Sequence, residues 1–188
     1  LANLLDDLAT SWLQPSNICI HADQPCPVHP SELGPQVAWH EGPAEFSRIR
    51  SGVGKPASDW CVLIDGGTRL EPFSLFELLK ATRSSGSAWV VYAADDVRQA
   101  DGADIPNLKG GGNVELLRHT NYLGGVMAVK EAAWALLPDR HLYRAGYRLA
   151  LEATVQLGAK GLLYVDKVIS HQPSHQHVGA ETAEFNAA

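Results

Sequence analysis

The chain has 188 residues, 45% hydrophobic and 19% charged, with a formal net charge of -6. That length suffices for one α/β domain with its own core, and the acidic balance excludes a broad nucleic-acid-binding surface. No apolar run approaches the roughly 20 residues of a membrane span, and no stretch reads as a signal peptide.

Leu1, Leu4, Leu5, Leu8 and Trp12 recur at helical spacing, so a helix is expected from Leu1 to Trp12, stopped by Pro15. Asn17 to His21 reads as a short strand that leads to Asp23. Gln24 to Pro35 is rich in proline and reads as an irregular loop. Gln36 to His40 fits another strand, and the basic, glycine-broken stretch Glu45 to Lys55 fits a short helix. Trp60 to Ile64 is the apolar run expected at the centre of the sheet, delivering Asp65 at its end, with Gly66 and Gly67 following. Pro72 suits the first turn of a helix from Phe73 to Thr82.

Ala88 to Tyr92 reads as the next strand, ending at Asp95 and Asp96, and a glycine-rich loop is expected from Asp101 to Asn113. Asn121 to Val129 reads as a strand interrupted by Gly124 and Gly125. Helices are expected at Lys130–Leu137 and Tyr147–Leu157, then a strand at Leu162–Val165. From Ser170 the chain is polar and carries His171, His175 and His177. Strands alternating with helices imply a mostly parallel sheet covered on both faces. Residues 1–170 are expected to form the domain and 171–188 a polar tail. Cys19, Cys26 and Cys61 lack metal-ligand spacing and read as reduced thiols, consistent with a cytoplasmic compartment. The chain starts at Leu1, not Met, and is expected to be part of a longer protein.

The order of motifs resembles family-2 glycosyltransferases, closest to the branch that builds surface polysaccharides. Ala22-Asp23-Gln24-Pro25 stands where that family has Asp-Asp-Gly-Ser. Asp65-Gly66-Gly67 stands at its Asp-x-Asp metal motif, with Gly67 in place of the second acid. Tyr92-Ala93-Ala94-Asp95-Asp96 matches Tyr-Ser-Asp-Glu-Asp. Leu108-Lys109-Gly110, Asn113, Leu116-Leu117 and Asn121-Tyr122 match Phe-Lys-Pro-x-x-Asn-x-x-Leu-Leu and Asn-Tyr with no gap. Ala145-Gly146-Tyr147-Arg148-Leu149-Ala150-Leu151-Glu152 matches Gln-Asp-Tyr-Asp-Leu-Ala-Leu-Arg, so Gly146 stands at the family's base position. Arg148 and Glu152 reverse the sign of the acid and base that follow. Ile169-Ser170-His171-Gln172 matches Leu-Tyr-His-Trp.

The resemblance implies a GT-A-type α/β sandwich whose first strand has no counterpart here. It implies transfer of a sugar from a nucleotide-diphosphate donor to a saccharide or lipid-linked acceptor. The alternative is a degenerate GT-A domain that binds a sugar nucleotide or another protein. A nucleotidylyltransferase shares the broad fold, but no glycine-rich nucleotide loop stands near the N-terminus. In the transferase reading Asp23, Arg48, Asp65, Gly124 and Gly125 face the donor. Asp65 and His171 would hold Mg²⁺ or Mn²⁺, a thin ligand set without a second acid. Arg48 or Arg50 would share the diphosphate charge.

The base is unassigned, with Asp95 and Asp96 as candidates beside the lost Gly146 position. Bland readings stand beside these: Asp65 as a turn cap, Asp23 as a loop acid, and Asp95-Asp96 as a solvated turn. Arg48 can equally be a surface charge, Gly124-Gly125 a bulge, and His171 structural or exposed. His175 and His177 read as solvated tail residues. Gly110-Gly111-Gly112 lacks the Lys-Ser/Thr of a phosphate loop. Other domains of a longer protein are expected partners, nucleic acid is not, and the location is expected to be cytoplasmic, including the inner face of the membrane.

Overall fold

The structure, a computed structural model, describes residues 2–16, 18–22, 37–41, 59–99, 101–134 and 145–173. In chain order its elements are α1 (Ala2–Thr10), β1 (Ile18–Ala22), β2 (Val37–Glu41), β3 (Trp60–Ile64), β4 (Arg69–Leu70) and α2 (Ser74–Ser84). They continue with β5 (Val90–Arg98), β6 (Asp104–Asn107), α3 (Val114–His119), β7 (Val126–Lys130), α4 (Glu131–Trp134), α5 (Ala145–Leu157) and β8 (Leu162–Pro173). The expected Glu45–Lys55 helix lies outside the described residues.

Burial on both faces explains why Val90–Ala94 of β5 and Val126–Val129 of β7 are continuously apolar, with alternate residues sent to opposite faces. Val90 and Tyr92 of β5, with Met127 and Val129 of β7, pack against Leu117 of α3, Trp134 of α4 and Leu149 of α5. The alternate residues Val91, Ala93, Val126 and Ala128 pack on the other side, against Leu8 of α1 and Leu75 and Leu78 of α2. Helices therefore cover both faces of the sheet, and the protein is α/β.

The sheet itself differs from the expectation. Six strands run in the order β3-β7-β5-β8-β4, with β6 added alongside β5, and β1 and β2 form a separate parallel pair. Within the six-stranded sheet only β5–β8 is parallel; β3–β7, β5–β7, β5–β6 and β4–β8 are antiparallel. The sheet is mixed, not mostly parallel. The reason is connection length: β6 returns along β5 through a short turn in which Gln99 N donates to Ala103 O at 2.7 Å, too short for a parallel crossover.

Three further corrections bear on the site. β3 lies at the end of the six-stranded sheet, not its centre. Asp95 and Asp96 lie inside β5 rather than at its end, opposite Asn107 and Pro106 of β6. The expected glycine-rich loop contains β6 and leads into α3, whose start is capped by the Asn113 side chain accepting from Leu116 N at 2.9 Å. β8 also runs on through Pro173, so His171 belongs to the sheet and not to a tail.

α1 is tied to the sheet by one carboxylate. Asp7 accepts from Nε and Nη2 of Arg69, each at 2.7 Å, and from Leu70 N at 2.9 Å. The Arg69 bonds hold the Asp7 carboxyl below its ordinary value, against the opposing effect of burial. Since its folded pKa lies below the unfolded one, this contribution is complete at neutral pH and fades as pH falls through the folded pKa. Asp7→Asn is therefore expected to destabilise the fold by about 1–2 kcal/mol at neutral pH. Urea unfolding of both proteins should show that difference shrinking in acid.

Candidate functional site

The polar groups gather around the second halves of β5 and β8. At their centre Lys109 Nζ bonds Asp95 Oδ2 at 2.7 Å and Leu123 O at 2.9 Å, and the two charged side chains are only 2% and 3% exposed. Burial pulls the Lys109 ammonium below its ordinary value while the Asp95 charge opposes that shift. The backbone folds tightly over this pair. Gly124 has φ +89°, and a Cβ there would stand 2.2 Å from Lys109 Nζ and 2.3 Å from Asp95 Oδ2. Gly125 is similarly close to Gln172, whose Oε1 accepts from Thr68 Oγ1 at 3.2 Å. The close approach at these two glycines is made by the protein's own side chains.

A tyrosine cluster holds the neighbouring loop. Tyr92 donates to Gly110 O at 2.6 Å and accepts from Gly112 N at 2.9 Å. Burial pushes its hydroxyl well above the ordinary phenol range, so it stays a donor. Tyr122 donates to Asn113 O at 3.2 Å, and Tyr164 accepts from Lys109 N at 3.3 Å. The motif from Leu108 to Tyr122 thus builds one packed loop and helix.

Asp65 stands exposed just after β3. Its amide donates to Gly125 O at 2.8 Å, and its carbonyl accepts from Thr68 N at 3.3 Å, which closes the turn. Gly67 in that turn has φ +86°, a left-handed conformation that suits glycine and strains an aspartate. Position 67 therefore offers no second acid to Asp65, and its backbone is one that favours glycine.

His171 is placed elsewhere in the network. Its Nδ1 lies 2.7 Å from Asp96 Oδ1 and its Nε2 lies 2.9 Å from Glu71 Oε1. Burial disfavours the imidazolium, but the two carboxylates outweigh it and raise the pKa above the ordinary histidine value. Asp104 is near the same group and also makes a bidentate pair with Arg98, at 2.9 and 3.0 Å. Asp96, Asp104 and His171 each offer a ligand atom, all within 4.8 Å of one another; Asp65 is not part of this group.

Gly146 lies in the first turn of α5, and a Cβ there would stand 2.4 Å from Sδ of Met127. The position where the resemblance puts the base therefore packs against Met127. Arg148 is exposed and Glu152 half-buried on the same helix. Asp23, Arg48, Arg50, His175 and His177 lie outside the described residues. Glu71, Asp104, Thr68 and Gln172 were missed by sequence reasoning. Glu71 and Asp104 carry no motif, and Thr68 and Gln172 pair across 104 positions.

Comparison with protein-family models finds no match, and comparison with curated protein sequences finds none either.

The close packing over Lys109 and Asp95 makes a contrast between glycines. Gly124→Ala is expected to destabilise the protein by about 2–3 kcal/mol, through the positive φ and the steric overlap together. Gly111→Ala, with nothing within 4 Å of the added carbon, should change stability by less than about 0.5 kcal/mol. Denaturant unfolding of the two variants checks this.

Proposed function

We propose that this chain is a glycosyltransferase domain of the family-2 type, using a nucleotide-diphosphate sugar to extend a saccharide or lipid-linked acceptor in surface-polysaccharide assembly. The observation that carries it is the Asp65 turn. A single carboxylate stands exposed after β3, on a loop fixed from beneath by Gly125 and by the Thr68–Gln172 bond. A firmly held, exposed acid beside two glycines is suited to a ribose or sugar hydroxyl. Asp23 and Arg48 would complete the donor site, with the arginine countering diphosphate charge.

In transfer, an acceptor hydroxyl attacks the anomeric carbon. The bond to the diphosphate breaks, its electron pair leaves with the phosphate oxygen, and the hydroxyl proton passes to a base. A divalent ion such as Mg²⁺ or Mn²⁺, when bound, would stabilise the leaving diphosphate. Of the two acids in β5, Asp96 is the better placed for contact with sugar or acceptor. Asp95 is neutralised by Lys109 under Gly124, whereas Asp96 joins the partly exposed His171–Glu71 row. Among the described residues no helix is long and apolar enough to cross a membrane. The proposed location is cytoplasmic, including attachment at the inner membrane face.

A second reading is a GT-A-like domain that binds a sugar nucleotide or a protein partner without transferring. The contact of Met127 with Gly146 favours it, because no carboxylate occupies the position where the resemblance puts the base.

Titration calorimetry with UDP, GDP and dTDP tests the first reading. One nucleotide should bind, and Asp65→Ala should weaken it about tenfold or more in a protein that circular dichroism shows to be folded. Absence of binding at millimolar nucleotide would sink the donor-site assignment and leave the protein-partner reading.

A further inference from the structure

Four segments that are distant in sequence bring metal-ligating groups to one place. Asp96 comes from β5, Asp104 from β6, His171 from β8 and Glu71 from the residue after β4. The strand register explains the convergence: Asp96 lies opposite His171 in the β5–β8 pair, and Arg69 lies opposite His171 in the β4–β8 pair. The imidazole makes this more than a patch of acids. One ring nitrogen faces Asp96, while the other contacts Glu71, which is the outer carboxylate arrangement that fixes a metal-binding histidine in one tautomer.

We infer that Asp96, Asp104 and Nδ1 of His171 form a site for a first-row divalent cation, Mn²⁺ or Zn²⁺, with Glu71 as the carboxylate behind the imidazole. Three arguments select that ion class. Three carboxylates, Asp96, Asp104 and Glu71, stand around the imidazole with the one guanidinium of Arg98, so the cluster keeps an excess of negative charge for a dication. The ion takes the place of the 2.7 Å contact between Nδ1 and Asp96, since a histidine nitrogen must be unprotonated to bind a metal. A nitrogen ligand suits Mn²⁺ and Zn²⁺ better than Mg²⁺ or Ca²⁺, which prefer oxygen throughout.

Arg98 is the obvious competitor for Asp104. Both partners of that pair are substantially exposed, so the bond is solvent-screened and exchangeable. Three protein ligands also leave coordination positions for water or for oxygens of a bound ligand. The site is distinct from the Asp65 turn, but it shares Asp96 with the acceptor contact proposed above, so ion binding is read without nucleotide to keep the two apart.

The test is titration calorimetry with MnCl₂ and ZnCl₂, each without nucleotide, on the full chain carrying His175→Ala and His177→Ala. Those two changes remove the other histidines near the C-terminus as competitors. One ion per chain should bind, with Mg²⁺ failing to displace it. Asp104→Asn should abolish binding, and Glu71→Gln should weaken it by about 10-fold or more. Asp104 sits on an exposed strand, so circular dichroism should confirm that its variant remains folded. No saturable binding of either ion, or binding that survives Asp104→Asn in a folded protein, overturns the site.

Discussion

The buried ion pair between Lys109 and Asp95 is the constraint on which the polar half of this protein depends. Taking both charges out of water is costly, and the cost is offset only because each is hydrogen-bonded in a fixed geometry. Lys109 meets that condition by reaching both Asp95 on β5 and the carbonyl of Leu123. It thereby ties the strand to the loop before β7. Gly124 follows from the same contact, since no side chain fits between its backbone and the pair. Gly125 then receives the Asp65 amide, so the turn that presents Asp65 is indirectly set by a lysine on a different segment.

Two polar layers result, with different chemistry. The enclosed layer holds Asp95, Lys109, Thr68 and Gln172, whose role is to fix backbone. The more open layer holds Asp96, His171, Glu71 and Asp104, where an imidazole sits among three carboxylates. Buried Asp95 Oδ1 and Gln172 Nε2 have no hydrogen-bond partner among the described residues, so those residues alone do not fully satisfy the enclosed layer. Adjacent residues of one strand thus have different partners: Asp95 meets a lysine, and Asp96 meets a histidine. The positions where the resemblance puts the chemistry have instead been absorbed into the fold, Gly67 as a left-handed turn and Gly146 as a contact for Met127.

Much of the secondary structure was legible because its signals are local. Apolar runs located β3, β5 and β7, and helical spacing located α1, α2 and α5. The sheet was not legible to the same degree. β6 is short, exposed and contains Pro106, so it carries no hydrophobic signal, and its pairing with β5 is what exposes the antiparallel return. β8 reads as a strand only through Val165, because Asp166–Pro173 is mostly polar without a period-2 pattern and becomes a strand by pairing with Ala94–Arg98. The site divided in the same way. Asp65, Asp95, Asp96, Lys109 and His171 stood at motif positions, but the Lys109–Asp95 pairing and the partners Glu71 and Asp104 depend on how distant segments meet in the sheet, which one sequence does not encode locally.

The most direct measurement is a double-mutant cycle on Asp95 and Lys109, by urea unfolding of Asp95→Asn, Lys109→Met and the double variant. Lys109→Met alone should cost about 3–5 kcal/mol, because it leaves a carboxylate buried without its cation. The double variant should be less destabilised than the sum of the singles, by roughly 1–3 kcal/mol of coupling. Additive effects would contradict the account, since they would mean that the two charges do not hold the loop to the strand together.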